Sequence, residues 1–308
     1  MKLRNSVLIL ATMLISMMIN ANASVQVPSP LVSTQWLSSN MNNVVLLDVQ
    51  AKVKKGMKTI DGAVIVNWKE VRAKKSEDGM KLIKMLPSKQ AFNKFMQKLG
   101  VNNNSTIIIT SASKDASSTF LGTRLYWQLK YFGHDNVAVL NGGNAKWHKE
   151  KRSMSASKIP NKGNFIATTE RKNMLATTSD VEKAVKSKNS VLVDGREENQ
   201  YLGLFYKKKY VYDAGHIPGA KNAFGGTFLN HGKVSTFQDA KIIKKIFDAK
   251  DITTANNGIS YCNSGHMASG IWFMQSEILG NKNFKVYDGS MHAWTKGNKR
   301  AVNTIVYE

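Results

Sequence analysis

A single cysteine, Cys262, stands in a chain of 308 residues, so no disulfide can close within it and no cysteine-rich metal centre can form. Histidine offers no substitute, because His216, His231, His266 and His292 of the second half show no ligand spacing. Neither a metal nor any other cofactor is expected. Acidic residues are also scarce, 21 against 44 lysines and arginines, which gives a formal charge of +23. A field of that sign attracts anions. The lysines are nevertheless scattered, and no nucleic-acid-binding motif is present, so the expectation is a solvated basic surface suited to a small anion and no nucleic-acid partner. The apolar run from Val7 to Ile19 is too short to span a bilayer. It follows Lys2 and Arg4 and precedes Ala21-Asn22-Ala23, the layout of a secretory signal peptide over residues 1–23, cut before Ser24. An uncleaved membrane anchor is the alternative. No cysteine near the cut could carry a lipid, so the mature protein is expected to be exported, periplasmic or secreted, without stable membrane insertion.

A lone thiol in an oxidising compartment is a liability unless it is used. Cys262 ends the apolar, β-prone run Ile259 to Tyr261, and the residues after Gly265, through Ile271, Trp272, Phe273 and Ile278 to Leu279, have helical spacing that stops at Gly280. The cysteine therefore belongs on a strand-to-helix turn. Backbone N–H groups gathered there, together with the start of the helix, favour a thiolate over a thiol. The plainer alternative is a small buried hydrophobe, as free cysteines commonly are.

What is present is one unit written twice. Val44-Val-Leu-Leu-Asp48 is echoed by Ser190-Val-Leu-Val-Asp194, Ile60-Asp-Gly62-Ala by Ile217-Pro-Gly219-Ala, and Val139-Leu-Asn-Gly142 to Trp147 by Val286-Tyr-Asp-Gly289 to Trp294. The second copy carries an insertion around Tyr201 to Asp213. Each copy alternates short apolar strands with amphipathic helices. Strands are expected at Val44 to Leu47, Thr106 to Ile109 and Val191 to Val193. Ser88 should cap a helix bearing Phe92, Phe95, Met96 and Leu99, Ser179-Asp-Val-Glu182 reads as a capping box, and a further helix is expected near Phe237 to Phe247. The fold class is α/β, with parallel sheets flanked by helices. Residues 24–150 form a first domain, the polar residues 151–175 with Pro160 a linker, and residues 176–308 a second domain.

In combination and order, Asp194-Gly-Arg196, Gly215-His216-Ile217-Pro218-Gly219-Ala220, Cys262-Asn-Ser-Gly265 and Asp288-Gly289-Ser-Met-His-Ala-Trp294 make the chain resemble the rhodanese superfamily in its two-domain sulfurtransferase form. The resemblance covers nearly all of the mature chain. The first domain has Thr110-Ser-Ala-Ser-Lys-Asp115-Ala-Ser-Ser where the cysteine loop would be, and so looks catalytically silent. The implied activity moves a sulfane sulfur from a small anionic donor, thiosulfate or 3-mercaptopyruvate, to a thiol, cyanide or protein acceptor through a persulfide on Cys262. The implied site comprises Cys262 as the catalytic residue, with Arg196, Asn263, Ser264, Gly265, His266 and Met267 as loop or substrate-binding residues. Arg196 either offers its fork to the donor's oxygens or forms an ion pair with Asp194, Glu197 or Glu198. Ser264 either touches the sulfur or holds the turn, and His266 either faces an anion or starts an exposed helix. Asn263-Ser264 is closer to the mercaptopyruvate pattern, whereas Gln200-Tyr201-Leu202 departs from the arginines such enzymes tend to carry. Met267 and His216 read as packing and turn residues. The basic aromatic insertion Tyr206-Lys207-Lys-Lys209-Tyr210 is either part of the rim or a solvated hairpin. Ala268, six positions after Cys262, replaces the arginine that a phosphatase loop of this type needs. The rival from another class is a non-catalytic module that binds an anion or a protein. With two domains around one site, a monomer is the default.

Overall fold

The computed structural model describes residues 24–206, 208–230, 232–253, 255–297 and 300–305, so the leader expected over residues 1–23 and Lys207 of the insertion lie outside it. Two five-stranded sheets, one per repeat, form the frame. The first orders its strands Leu31–Val32, Val137–Leu140, Ile107–Ser111, Val45–Gln50 and Val64–Asn67, all parallel. The second repeats the order with Leu175–Ala176, Phe284–Tyr287, Gly258–Tyr261, Val191–Asp194 and Lys221–Asn222, again all parallel. Parallel sheets need both faces covered, which is why their central strands are runs of Ile, Val and Leu rather than alternating patterns. Ile107, Ile108 and Ile109 are all buried.

The repeats meet through the two helices that follow their central strands. Ala116–Tyr131 of the first packs against His266–Trp272 of the second, at a crossing so close that a Cβ on Gly270 would come within 2.4 Å of the Phe120 ring. Phe120, Tyr126, Trp272 and Phe273 join the two sheets into one apolar core. A second junction is an arm, the antiparallel hairpin Ala73–Glu77 and Met80–Met85, which leaves the first domain and inserts Leu82 and Met85 among Tyr261, Tyr287, Met291 and Trp294 of the second. The stretch 157–171 between the domains lies along the first repeat, with Phe165 buried against Phe92 and its N–H bonded to the Val101 carbonyl.

Two sequence expectations are corrected and a third is refined. The helix Thr178–Ser187 is capped by Thr177, whose hydroxyl accepts from Asp180 N while the Asp180 carboxylate reaches back, and not by Ser179 with Glu182. The strand Leu175–Ala176 carries extended backbone up to Thr177, so the helix starts earlier and Glu182 is released to pair with Arg300. The helix expected near Phe237 begins only at Ala240, because Thr236–Phe237 pairs as a strand with Leu229–Asn230 and buries the Phe237 ring against Phe120 and Phe273. The helix after Cys262 is α-helical only to Trp272 and continues as a π-helix from Phe273 to Ile278.

Candidate active site

The strand Gly258–Tyr261 ends one residue before Cys262, and the helix starts at His266, leaving a loop of Cys262, Asn263, Ser264 and Gly265. The first repeat spaces its elements identically: its strand ends at Ser111 and its helix starts at Ala116, so Ala112 stands where Cys262 does. Asp115 occupies the place of Gly265 and caps its helix through Ser118. Gly265 is required where it is. Its φ is 73°, and a Cβ would sit 2.4 Å from Arg124 Nη1 and 2.5 Å from Asp288 Oδ1.

The loop is held from beneath by Ser290, which sequence reasoning left unassigned within the Asp288 to Trp294 motif. Its Oγ accepts from Cys262 N at 3.1 Å and Gly265 N at 3.0 Å, and donates to the Tyr287 carbonyl at 2.8 Å. Ser290 adopts φ 50°, a left-handed conformation costly for a non-glycine residue, and the matching position of the first repeat is Gly143 at φ 48°. The strain is accepted because the hydroxyl satisfies two buried donors at once. Ser290→Ala leaves both N–H groups without a partner, at about 1–3 kcal/mol each. We expect a lower melting temperature together with faster hydrogen exchange at the Cys262 and Gly265 amides. Unchanged protection at both amides would show that the loop is held by something else.

Arg124, a fully buried charge in the middle of the helix Ala116–Tyr131, crosses the domain boundary to this loop. Its Nη1 donates to Asp288 Oδ1 at 2.5 Å and to the Gly265 carbonyl at 3.2 Å, and both side chains are buried. Leu86 N completes Asp288 from the end of the arm, at 2.6 Å. That isolated charge in Phe120-Leu-Gly-Thr-Arg124-Leu-Tyr-Trp was the available signal for a buried partner.

The predicted site residues gather at one cleft between the domains. A chamber of about 330 Å³ is lined by Cys262, Asn263, Ser264, His266 and Met267 of the loop, by Arg196 and Gln200, and by Ala116 and Ser117 of the first domain. Gly265, turned inward, is not part of its wall. Cys262 is 2% exposed. Asn263 Nδ2 donates to Gln200 Oε1 at 2.9 Å, and Ser264 Oγ lies 3.2 Å from the Tyr210 hydroxyl. Burial holds the Tyr210 phenol protonated above its ordinary range. Met267 packs against the core beside Gly225.

Of the two readings of Arg196, the ion pair with Asp194 is present. The guanidinium meets both Asp194 oxygens, at 2.6 to 3.0 Å, and donates to the Gly215 carbonyl at 2.7 Å. Burial opposes its charge, but the Asp194 carboxylate outweighs that and holds its pKa above the ordinary value. Arg196 therefore faces the chamber with its best donors already engaged. His266, on the first turn of the helix, is half-buried rather than exposed. Its ring sits 4.8 Å from that of Trp68, its Nε2 is closed off from solvent without a partner, and burial, then Arg72 and Arg124, push its pKa down to about 3. His216 serves its turn, stacked on Tyr201 at 3.7 Å with Nδ1 on the Tyr201 carbonyl. From the insertion, Lys208 and Tyr210 reach the chamber. Among the described residues, no group of three His, Cys, Asp or Glu is placed to hold a metal, and no helix is long and apolar enough to cross a membrane.

The model of the rhodanese-like domain matches the chain twice, over residues 33–150 and 177–297. A thiosulfate sulfurtransferase of Cricetulus griseus is 30% identical over 281 residues, which cover 86% of this chain and 91% of the relative. A sulfur carrier protein of Thermus thermophilus, TtuD, is 27% identical over 280 residues, 87% of this chain and 94% of its own. Among solved structures, the Tum1 protein of Saccharomyces cerevisiae shares the fold at a TM-score of 0.74 and 18% identity, covering 90% of this chain and 98% of that one. With both repeats matched, the chain belongs to the rhodanese-like domain family, as a tandem pair of such domains.

Proposed function

We propose that the protein is a sulfurtransferase that works through Cys262. The observation that carries this reading is that the only cysteine of the chain lines the interdomain chamber, on a loop held by Ser290 and Gly265. The family membership and the activity in the name of the Cricetulus griseus relative support it. The Cys262 thiolate attacks the outer sulfur of a small anionic donor. With thiosulfate a new S–S bond forms, the old one breaks, and sulfite leaves with the electron pair. The outer sulfur stays on the protein as a persulfide until a thiol, cyanide or a protein thiolate takes it. The first-turn N–H groups of the helix His266–Trp272 lack intrahelical partners, and its start lines the same chamber, which suits the negative charge on the transferred sulfur.

Thiosulfate and 3-mercaptopyruvate are the donors to compare. Gln200 is tied to Asn263 and Arg196 to Asp194, so the second domain has no uncommitted arginine among the chamber's lining residues for a carboxylate. That favours thiosulfate. Export of a chain beginning at Ser24 belongs to the same proposal and rests on the leader pattern of residues 1–23. Intact-mass measurement of protein recovered from its native host, before and after incubation with each donor, tests both. The expected result is a mass starting at Ser24, and a one-sulfur gain on Cys262 that thiosulfate produces faster and cyanide removes. No gain with either donor on a reduced thiol would overturn the sulfur-transfer reading.

A further inference from the structure

The cleft does not end at the chamber of Cys262. A second chamber, of about 350 Å³, adjoins it on the side of the first domain, and Asp115, Ser117, Lys208, Tyr210, Ser264 and His266 line both. Its far wall is made by Trp68, Arg72 and Lys84, all from the first domain. Three cations, Arg72, Lys84 and Lys208, therefore face this space, against the single carboxylate of Asp115. Asp115 is already engaged in capping its helix through Ser118 N and Oγ.

The cations are crowded, and Arg72 feels the Asp288 carboxylate only at a distance. Among the described residues, neither Arg72 nor Lys84 forms an ion pair with a carboxylate. Arg72 lies over the Trp68 ring at 4.0 Å with its buried Nε unsatisfied, and Lys84 lies over the Tyr210 ring at 3.8 Å. Lys84 is held there by a left-handed backbone, φ 64°, at the end of the arm that docks on the second domain. Burial, then the charges of Arg72 and Lys208, lower its pKa to about 8, and burial with Arg124 lowers that of Arg72 to about 10. Like charges and backbone strain gathered at one cavity disfavour the empty state and favour an anion in it. A guanidinium beside an ammonium matches the two oxygens of a carboxylate.

The second chamber reaches the loop at Ser264 and His266 but does not include Cys262. An anion held there lies outside the chamber that Cys262 lines, so the group that bears it is set apart from an atom reacting at the sulfur. We infer that Arg72 and Lys84 form an acid-group subsite for the sulfur acceptor, selecting small thiols that carry carboxylates several bonds from their sulfur. The inference deepens the proposed function and rests on it for the reacting sulfur. The acceptor R–S⁻ attacks the outer sulfur of protonated Cys262–S–SH, and a new S–S bond forms. The existing S–S bond breaks, Cys262 leaves as the thiolate, and the proton stays on the transferred sulfur to give R–S–SH, with no net oxidation.

The test compares glutathione with the uncharged 2-mercaptoethanol as acceptor, with thiosulfate as donor. In Arg72→Gln, and separately in Lys84→Asn, which keeps a residue tolerant of the left-handed backbone, the ratio of the two kcat/KM values should fall about tenfold or more. An equal loss with both acceptors would overturn the subsite. A binding arm removes the dependence on turnover: calorimetry of the Cys262→Ser protein with S-methylglutathione, which cannot accept sulfur. Binding that either charge-removing substitution weakens about tenfold supports the subsite even if no persulfide ever forms on the unaltered protein, in which case the sulfur-transfer reading alone has failed. Absent binding, or binding indifferent to both substitutions in proteins with the parent's melting temperature, would overturn it.

Discussion

Cys262→Ser is expected to reduce sulfur transfer from thiosulfate to cyanide to the uncatalysed background, a loss of about a thousandfold or more. The substitution exchanges one atom in a side chain that is 2% exposed, so the loop bonds through Ser290 and Gly265 have no reason to change. What it removes is the chemistry. A serine hydroxyl is hardly ionised at neutral pH and cannot hold sulfane sulfur, whereas a thiolate attacks a sulfur–sulfur bond and leaves again as a good leaving group. No other residue can substitute, because the chain has no second cysteine. The measurement also separates an enzyme from a binding module of the same fold. Anion binding in the cleft persists in the variant under either reading, so transfer that also persists would make Cys262 a packing residue and the protein a carrier of something else.

Much of this arrangement was legible in the chain because it is local. The two aspartates Asp48 and Asp194 lie on matching strands of the two repeats, and the offset between repeats mapped onto two sheets with one strand order. The strand-to-helix turn at Cys262 followed from the short β-prone run Ile259 to Tyr261 and the helical spacing beyond Gly265. Where local signals competed, the neighbouring element decided. Thr177 and Ser179 are both adequate caps, and the strand ending at Ala176 selected Thr177. Phe237 looked helical by spacing but was drawn into a hairpin by its contacts with Phe120 and Phe273. Arg196 could not be assigned from sequence because its alternatives, a donor oxyanion and Asp194, use the same fork; the Asp194 carboxylate, turned onto the Arg196 N–H at 3.0 Å, already lies within reach of the guanidinium. The residues that shape the cleft from the first domain were the least legible. Trp68, Arg72 and Lys84 lie in a stretch with no motif, and they meet the cysteine loop only across the domain boundary.

The same cross-domain logic makes Arg124→Leu the substitution with the largest expected effect on stability. Arg124 and Asp288 are 164 residues apart, buried at 0% and 2% side-chain exposure, and joined at 2.5 Å. Two charges taken out of water gain little net stability when paired, but deleting one strands the other. Without Arg124, the Asp288 carboxylate keeps only the Leu86 N–H, and the Gly265 carbonyl loses the Nη1 donor beside the cysteine loop. The cost should be about 3–5 kcal/mol, the usual range for breaking a buried pair from one side. For a chain of this size that corresponds to a melting temperature lowered by roughly 10 °C. Asp288→Asn strands Arg124 instead, whose Nε and Nη2 already lack partners. Both single variants should therefore be much less stable, while Arg124→Leu with Asp288→Asn removes both charges and recovers part of the loss. A coupling of about 2 kcal/mol or more in that double-mutant cycle is expected of groups in direct contact. Additive losses would mean that the pair does not act as a unit. Sulfur transfer by the single variants at temperatures where they remain folded then reports on geometry, since Arg124 touches the backbone of Gly265 and its loss should loosen the loop that presents Cys262. On this account the first domain, which has no cysteine of its own, supplies the cation that fixes the loop of the domain that has one.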